Sequence, residues 1–303
     1  MSPRALNMVG LGESLWDLLP DGKQLGGAPT NFAYMCNLLG DRGIVASRIG
    51  NDALGDQIAS TLEQLQVNTS YMQRDPNHPT GSVAVQFEAE GQPSYTIREG
   101  VAWDFLEWTP EWARLASQAD VVCFGTLAQR SPLSRAAIQQ FVRSAGAALR
   151  IFDVNLRPPF YSEAVLRQSL ELAQVLKLND LELPVVAGLL GIAFRGEHEC
   201  AQRLLTTHGL KLVCVTRGAQ GSLLVDSSRV SEHPGFRVSV ADTVGAGDAF
   251  TACMAHHVAR HASLETINAE ANRFAAWVAS RHGGTPSLAG QPLQDALSAI
   301  AKD

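Results

Sequence analysis

The chain has 303 residues, of which 46% are hydrophobic and 18% are charged, and its formal net charge is −6. This length and composition predict a globular protein with a large core, built as one α/β domain or as a main domain with a smaller one, and they exclude a disordered chain. The negative charge, without any basic run, argues against nucleic acid and against an anionic membrane as main partners.

The cysteines and the chain start bear on the compartment. The five cysteines are widely spaced and form no C-x-x-C pair, which argues against a disulfide framework or a zinc knuckle. The N-terminus lacks the pattern of a secretory signal peptide. The longest apolar run, residues 183–194, is too short to span a bilayer. We therefore expect a protein of the reducing cytoplasm.

Short β-branched runs alternate with helical patterns along the chain. The predicted buried strands are residues 5–12, 43–50, 119–126, 149–155, 175–179 and 211–218. Helical patterns lie between them, and the pattern at 132–146 has Ser131 as a predicted N-cap and Pro132 at its first position. This alternation predicts βαβ units and a mostly parallel sheet that is covered by helices on both faces.

Two regions break the alternation. Residues 13–27 contain the turn signal PDGK, and residues 80–100 alternate apolar and polar side chains around EGQP. Both patterns indicate hairpins of a half-exposed antiparallel sheet, and together they predict one small sheet over the edge of the main domain, which would act as a lid. The predicted main domain is then 1–12, 28–79 and 101–303. Exposed edges of such a lid favour a homodimer.

A glycine-rich turn leads into a helix in the stretch VADTVGAGDAFTACMAHHVA, residues 240–259. Gly245 and Gly247 permit a tight turn whose N–H groups point at one spot, and the helix predicted at roughly 247–260 adds the positive end of its dipole. This arrangement suits a phosphoryl group. Asp248 is then either a dipole-stabilising residue or a general base that takes the proton from an attacking alcohol.

Other phosphate-binding motifs are absent from the sequence. It contains no G-x-x-x-x-G-K-[ST] loop and no protein-kinase motif set. The segment GLGESL begins like a dinucleotide fingerprint, but Leu15 stands where the third glycine belongs. A phosphate site in this chain is therefore of another kind.

The motifs in order resemble the ribokinase-like sugar kinases, also called the PfkB carbohydrate kinases. The resemblance covers almost the whole chain and is carried by GESLWD, LGGAPTNFA, RIGNDALGD, DVNLRP, NDLE, TRGAQGS and DTVGAGDAF. It implies an α/β fold of the ribokinase-like kind, a Rossmann-type α/β/α sandwich with a small β-sheet lid. It also implies an ATP-dependent sugar kinase that uses Mg²⁺ and a small-molecule sugar.

The resemblance assigns catalytic and metal roles. Asp248 corresponds to the catalytic base, and the N–H groups of Gly245, Ala246 and Gly247 correspond to the anion hole. Asn179 and Glu182 correspond to the motif that arranges Mg²⁺ and its waters, and Mg²⁺ does keep several waters in proteins. Without the resemblance, Asn179 would be interpreted as a turn residue and Glu182 as a solvated helix carboxylate.

The resemblance also assigns the nucleotide and cation sites. The nucleotide-binding segment corresponds to Thr216, Arg217, Gly218 and Gly221, beyond a strand end where ligands commonly bind. Asn272 corresponds to a residue of the adenine pocket, with a helix-surface amide as the alternative. The carbonyl groups that hold a monovalent cation such as K⁺ correspond to Asp242, Val244 and Ser287.

The sugar site is assigned in the same way to Asp17, Gly27 and Asn31, whose polar groups suit a neutral polyol. Asp17 is otherwise a polar residue before a turn, and Asn31 is otherwise a local cap of a helix at 29–39. Arg98 reaches the sugar or a substrate anion, or is a solvated strand residue. Arg157 contributes to the phosphate site or to a surface ion pair.

The segments GGAPTN and REGVAWD, together with the chain length, are more similar to fructokinases than to ribokinases. Fructose is therefore the predicted substrate, with 2-keto-3-deoxygluconate, ribose or a nucleoside as alternatives. A non-catalytic sugar or nucleotide sensor on the same fold is the alternative from another class. Asp248, Asn179 and Glu182 together favour the enzyme.

Overall fold

In a computed structural model, which describes residues 4–19, 22–87 and 93–300, an eight-stranded sheet forms the centre of the protein. The strands are β1 (Asn7–Leu11), β2 (Leu15–Leu19), β3 (Gly22–Gly26), β4 (Arg42–Ala46), β5 (Arg48–Gly50), β6 (Gln73–Asp75), β7 (Gly81–Phe87), β8 (Pro93–Ile97), β9 (Val121–Phe124), β10 (Leu149–Asp153), β11 (Val175–Asn179), β12 (Leu212–Thr216), β13 (Ser222–Asp226) and β14 (Val230–His233). The α-helices are α1 (Ala28–Leu38), α2 (Ala53–Gln64), α3 (Pro110–Gln118), α4 (Pro132–Ser144), α5 (Glu163–Leu172), α6 (Glu182–Leu190), α7 (Glu197–His208), α8 (Ala246–Val258), α9 (Leu264–Ala279) and α10 (Leu293–Ser298).

The central sheet has the strand order β14-β13-β12-β11-β10-β9-β1-β4. The six strands from β4 to β12 in this order are parallel, and β13 and β14 continue the sheet in antiparallel pairing. In β1, Met8 and Val9 are both fully buried but belong to separate cores on opposite faces of the sheet. Burial on both faces explains why these strands have continuous apolar runs instead of alternating ones.

Helices cover both faces, as the alternating sequence pattern predicts. One core packs the sheet against α3 to α7, with Phe141, Leu166 and Leu204 among the buried residues. The other core packs it against α1, α2, α8 and α9, with Phe32 and Phe274 fully buried. The predicted α/β/α sandwich is confirmed. Among the described residues, no helix is both long and apolar enough to cross a membrane.

A second sheet of four strands stands beside the sandwich, in the order β3-β2-β7-β8. Antiparallel hairpins β2–β3 and β7–β8 are joined by parallel pairing of β2 with β7. These strands come from the two segments that were predicted as hairpins, and residues 20–21 and 88–92 of their turns lie outside the described residues. The division into a main domain and a lid, and a homodimer across the sheet edges, stay predictions.

Several sequence-based boundaries need correction. The strand predicted at 43–50 is wrong, because the chain leaves the central sheet after Ala46 and continues as β5 in a two-stranded sheet with β6. The cause is Arg48, a charged residue in an apolar run, which is buried and pairs with Asp75 Oδ2 at 2.9 Å. Ser131 is the N-cap of α4, but its side chain makes no capping hydrogen bond.

The sequence patterns do not predict β13 and β14, because β13 has only three consecutive buried apolar residues and β14 is a four-residue strand at the edge of the sheet. The helix after the glycine turn is α8, at Ala246–Val258 rather than 247–260. Asn31 is not a helix cap, since α1 begins at Ala28 with Gly27 at its N-cap.

Close contact between α1 and the sheet depends on glycine in the strands. A Cβ at Gly43 of β4 would overlap the carbonyl oxygen of Ala33, and a Cβ at Gly10 of β1 would overlap that of Pro29. Both neighbours are backbone atoms of a helix and cannot move independently. The backbone of α1 therefore lies directly on β1 and β4, and this contact fixes the distance between the first turn of α1 and the sheet.

We expect Gly43→Ala to lower the free energy of unfolding by about 1–3 kcal/mol, because the added methyl group overpacks this contact. The matched control is Gly188→Ala in α6, where an added Cβ meets no atom within 4 Å. That change should raise stability by about 0.5–1 kcal/mol. Urea unfolding of the two variants and the wild type measures both effects, and equal stability of Gly43→Ala and wild type would contradict the close packing.

Candidate active site

The first turn of α8 lies over the carboxyl ends of β10 and β11. Gly245 is the N-cap of α8 in the left-handed conformation, with φ 77°. A Cβ at Gly245 would come within 2.7 Å of Gly284 Cα, so the 245–247 turn packs directly on the backbone of the 283–287 loop. Asp248 follows in the first helical turn, where free N–H groups and the helix dipole favour negative charge.

Asp248 is partly buried and contacts the first turn of α1. Asn31 Nδ2 donates a hydrogen bond to Asp248 Oδ2 at 2.8 Å. Burial and the negative charge of Asp153 raise the pKa of Asp248 to about 6, although the Asn31 hydrogen bond and the charges of Lys177 and Arg157 act in the opposite direction. Asp248 is therefore ionised above about pH 6 and is a weak base near neutral pH.

A buried ion pair lies beneath the same turn. Lys177 Nζ on β11 donates to both carboxylate oxygens of Asp153, the last residue of β10, at 3.1 and 3.2 Å. The Thr251 hydroxyl on α8 donates to Asp153 Oδ2 at 2.7 Å. Burial lowers the pKa of Lys177, but Asp153, Glu182 and Asp248 more than offset this, so that its pKa is raised and the group stays charged.

The predicted sugar residues lie on the side of Asp248 that faces the small sheet. A Cβ at Gly26 would overlap the carboxylate of Asp17 on β2, and a Cβ at Gly27 would come within 2.5 Å of the Glu13 carbonyl oxygen. The backbone of residues 26 and 27 therefore packs directly against Asp17 and against the backbone of Glu13. Burial raises the pKa of Asp17 to about 6, and Arg157 opposes that effect.

Glu13 is a carboxylate that sequence reasoning missed. It follows β1, is only 5% exposed, and lines a narrow pocket together with Asp153, Asn155, Asp248 and Thr251. Burial raises the pKa of Glu13 to about 7. The available signal was its position, since a polar residue directly after a buried parallel strand lies at the edge of the sheet where ligands bind.

The two arginines predicted near the substrate differ in what they contact. Arg98 is exposed directly after β8, and its carbonyl oxygen accepts a hydrogen bond from Arg130 Nη2 at 2.6 Å. Arg157 is exposed after β10, and its charge acts on Asp17, Glu13 and Asp248. Arg157 therefore belongs to the electrostatic surroundings of the site, whereas the role of Arg98 stays a prediction.

Asn179 and Glu182 hold each other at the junction of β11 and α6. Asn179 Oδ1 accepts from the backbone N–H of Glu182 at 2.8 Å, and Glu182 Oε2 accepts from the backbone N–H of Asn179 at 2.8 Å. Glu182 Oε1 accepts from Leu156 N at 2.7 Å. Each carboxylate oxygen keeps a second acceptor position, so this hard oxygen pair fits an outer-shell role around hydrated Mg²⁺.

The predicted nucleotide residues gather at the carboxyl end of β12. Thr216 is the register partner of Asn179 across β11 and β12. Arg217 pairs with Glu197 at 2.6 Å and with Glu232 at 3.3 Å, so its charge is already matched within the protein. The role of Arg217 toward a nucleotide stays a prediction.

Glycines and an asparagine complete the predicted nucleotide segment. Gly218 begins a short 3-10 turn, and a Cβ at Gly221 would overlap the carbonyl oxygen of His233. Asn272 on α9 is buried, not on the helix surface, and its amide donates to Ser222 Oγ at 2.7 Å. The roles of these residues toward a nucleotide stay predictions.

The segments predicted to hold K⁺ are joined by Asp242. Its Oδ1 accepts from Val244 N at 3.0 Å, and its Oδ2 accepts from Gly283 N at 3.0 Å. Ser287 lies further along the same loop, where its Oγ accepts from Ala289 N at 3.1 Å. The structure thus joins Asp242 to Gly283, at the start of the 283–287 loop, and the cation site stays a prediction.

Lys177, Asp153 and Thr251 were also missed by sequence reasoning. The signal for Lys177 was its place in VLKLN, an otherwise apolar strand, because a lysine inside a buried strand needs an anionic partner. The partner could not be identified from sequence, since Asp153 lies on a different strand.

Among the described residues, no group of three or more His, Cys, Asp or Glu side chains forms a metal centre.

The sandwich fold, and a glycine turn with a carboxylate at a helix start, define the class as a ribokinase-like phosphotransferase. The profile of the pfkB family carbohydrate kinases matches residues 21–289. Fructokinase from Salmonella typhimurium is 32% identical over 256 residues, which cover 80% of this chain and 81% of that protein. The chain therefore belongs to the pfkB family of carbohydrate kinases and is an ATP-dependent sugar kinase.

Solved structures agree with this family. The crystal structure of fructokinase with bound ATP from Xylella fastidiosa has a TM-score of 0.84 at 24% identity and covers 97% of this chain and 98% of its own, which shows the shared fold. Fructokinase from Vibrio cholerae O395, in its fructose, ADP and calcium ion bound form, has a TM-score of 0.81 at 25% identity and covers 98% of this chain and 99% of its own.

We expect Gly245→Ala to lower the free energy of unfolding and to reduce kcat/KM for MgATP at least ~10-fold, because the methyl group displaces the turn from the 283–287 loop. The left-handed conformation alone costs an alanine about 1–2 kcal/mol. Gly209→Ala is the matched control, since φ there is 62° and an added Cβ meets no atom within 4 Å. Urea unfolding and steady-state kinetics should separate the two variants, and equal activity would contradict the role of the turn.

Proposed function

We propose that the protein is a fructokinase that transfers the γ-phosphoryl group of ATP to D-fructose to form fructose 6-phosphate, with Asp248 as the general base. The observation that carries this proposal is the contact of Asn31 Nδ2 with Asp248 Oδ2 at 2.8 Å, at the start of a helix preceded by a glycine turn. A proton acceptor and an anion-binding turn are then adjacent, as phosphoryl transfer to an alcohol requires.

A vacant acceptor supports sugar binding next to this base. Asn31 Oδ1 is buried and has no hydrogen-bond partner among the described residues. A buried carbonyl oxygen without a donor costs free energy, and a sugar hydroxyl would supply the donor. Asp17 on β2 would bind further hydroxyl groups. Residues 26 and 27 have no side chains, so the sugar could reach both Asn31 and Asp17.

In the proposed reaction, Asp248 accepts the proton of the attacking hydroxyl while the N–H groups of the 245–247 turn stabilise the charge on the phosphoryl group. Asn179 and Glu182 would hold hydrated Mg²⁺, which neutralises charge on the ATP phosphates when bound. The carbonyl groups of Asp242, Val244 and Ser287 would hold K⁺ beside the turn. The small sheet would close over the sugar and exclude water as a competing acceptor.

Fructose is favoured by the relatives and by the sequence of the sugar segment. The similar proteins include fructokinases from Salmonella typhimurium and Vibrio cholerae O395, and the latter was solved with fructose and ADP. One observation favours 2-keto-3-deoxygluconate as a second candidate. The exposed guanidinium of Arg157 acts on Asp17, so it is within electrostatic range of the sugar site and would suit a substrate carboxylate.

Replacement of the proposed base tests the mechanism. We expect Asp248→Asn to fold normally and to lose at least ~10² in kcat, because an amide cannot accept the proton. Asp56→Asn is the matched control, since Asp56 also lies in the first turn of a helix, α2, but forms a surface pair with Arg74. Retention of kcat within a few-fold in Asp248→Asn would contradict the assignment.

The pH dependence follows from the sign of the pKa shift. Asp248 acts as a base only when it is ionised, so kcat of the wild type should fall as the pH drops through about 6 and be constant above it. A profile of kcat between pH 5 and 8, the range ~1–2 units around this value, measures the effect. This fall in kcat at low pH is the acid limb of the profile. An acid limb centred near the ordinary pKa of aspartate would contradict the environment described for Asp248.

A substrate panel tests the choice of sugar. We expect ADP release with MgATP and K⁺ to be fastest with fructose, in a panel that also contains ribose, 2-keto-3-deoxygluconate, glucose, adenosine and fructose 6-phosphate. If 2-keto-3-deoxygluconate is turned over instead, and this activity is lost in Arg157→Gln, the substrate assignment changes to that acid and the proposed mechanism stands. Sugar binding without ADP release from any compound would instead support a non-catalytic sensor.

A further inference from the structure

The Lys177–Asp153 pair has no role in the proposed sugar or nucleotide contacts, although it lies beneath the proposed phosphoryl site. The two side chains are only 8% and 6% exposed. Thr251 is fully buried beside them, with its hydroxyl 2.7 Å from Asp153 Oδ2 and 3.0 Å from the Gly247 carbonyl oxygen. The pair is therefore attached directly to the first turn of α8.

Stability does not account for this pair. Removing two charges from water is expensive, and well-packed apolar replacements of buried ion pairs are often neutral or stabilising. Val175, two positions earlier on the same face of β11, and Cys214, the register partner of Lys177 on β12, are both fully buried, so an apolar residue would suit this position as well. A charged pair at this place needs another reason.

Gly247 shows where the ammonium group lies. A Cβ at Gly247 would come within 3.2 Å of Lys177 Nζ, which is closer than ordinary contact. The ammonium group therefore lies against the backbone of the turn on its inner side. Positive charge at this point adds to the helix dipole and to the N–H groups that would bind a phosphoryl group.

We propose that Lys177 and Asp153 are positioning residues for phosphoryl transfer: Asp153 fixes the Lys177 ammonium group beneath the 245–247 turn, where its charge strengthens the anion site and acts on Asp248. This inference rests on the proposed function, since it assumes that a phosphoryl group binds at the turn. Neither residue touches substrate directly in this arrangement. They act through the backbone of α8 and through the electric field at Asp248.

The charged groups that act on Asp248 are Asp153 on β10, Lys177 on β11, Arg157 after β10 and Glu13 after β1. Of the pair, Lys177 lowers the pKa of Asp248 and Asp153 raises it. Removing each charge alone should therefore move the acid limb of the pH–kcat profile in opposite directions. A structural role alone would destabilise the protein in both cases without this opposition.

The experiment compares Lys177→Met, Asp153→Asn and the double variant with the wild type. We expect Lys177→Met to lower the plateau kcat at least ~10-fold, with less effect on the sugar KM, and to move the acid limb to higher pH. Asp153→Asn should move the limb to lower pH. The double variant has no unpaired buried charge, so it should fold, recover the wild-type limb and keep the reduced plateau.

Asp75→Asn is the matched control, because Asp75 is also buried and pairs with Arg48 at 2.9 Å, but in the sheet of β5 and β6. It should lose stability without moving the acid limb. A second readout is calorimetric binding of a non-hydrolysable ATP analogue with Mg²⁺, which should be at least ~3-fold weaker in Lys177→Met and in the double variant.

The outcomes separate the inference from the proposed function. Failure of the proposed function would appear in the wild type as absent sugar turnover, or as full activity of Asp248→Asn. If the wild type turns over a sugar and Asp248→Asn is inactive, the proposed function stands. The inference alone is then overturned if the acid limbs of the pH–kcat profiles of Lys177→Met and Asp153→Asn stay in place or move in the same direction. A double variant with wild-type kcat and wild-type analogue affinity would overturn it as well.

Discussion

The site depends on how closely the start of α8 approaches the carboxyl ends of β10 and β11. Two glycines permit this approach, because Gly245 packs on the backbone of Gly284 and Gly247 packs on the ammonium group of Lys177. Thr251 fixes the helix from below through Asp153. If side chains separated these surfaces, α8 would lie further out, and Asp248 would lose its 2.8 Å contact with Asn31. The glycine pattern is thus a packing requirement as well as a source of free N–H groups.

The site combines several acidic side chains with a substrate, ATP, that is itself negatively charged. Four acidic residues lie near one another, namely Glu13, Asp17, Asp153 and Asp248, although the nucleotide substrate is itself an anion. Burial raises the pKa of Glu13 to about 7 and those of Asp17 and Asp248 to about 6, so Glu13 carries the most reduced negative charge of the three near neutral pH. The positive contribution comes from the turn N–H groups, from Lys177 beneath them and from Arg157 at the surface. Under the proposed function, a base and an anion site could therefore be neighbours without cancelling each other.

Sequence could predict the parts of this arrangement that have a local cause. The parallel strands follow from β-branched runs, and β11 was predicted at its observed bounds of 175–179. Asp248 and its turn follow from glycine spacing. The break at Ser47, the Lys177–Asp153 pair and the burial of Asn272 could not be predicted, because each involves a partner far away in sequence. Arg48 pairs with Asp75, Lys177 pairs with Asp153, and the amide of the buried Asn272 donates a hydrogen bond to Ser222.

The same contacts connect the small sheet to the anion-binding turn. A Cβ at Gly283 would lie 3.5 Å from Gln24 Oε1 on β3, and Gly283 N donates to Asp242, which also fixes Val244. The next residue of the loop, Gly284, contacts Gly245 and Asn31. A displacement of β3 against the sandwich would therefore reach the turn through one short loop of backbone. Asp17 lies on β2, which pairs with β3. Under the proposed function, the groups that would bind sugar and those that would bind phosphate are therefore mechanically joined, and closure over a sugar would accompany alignment of the phosphoryl acceptor.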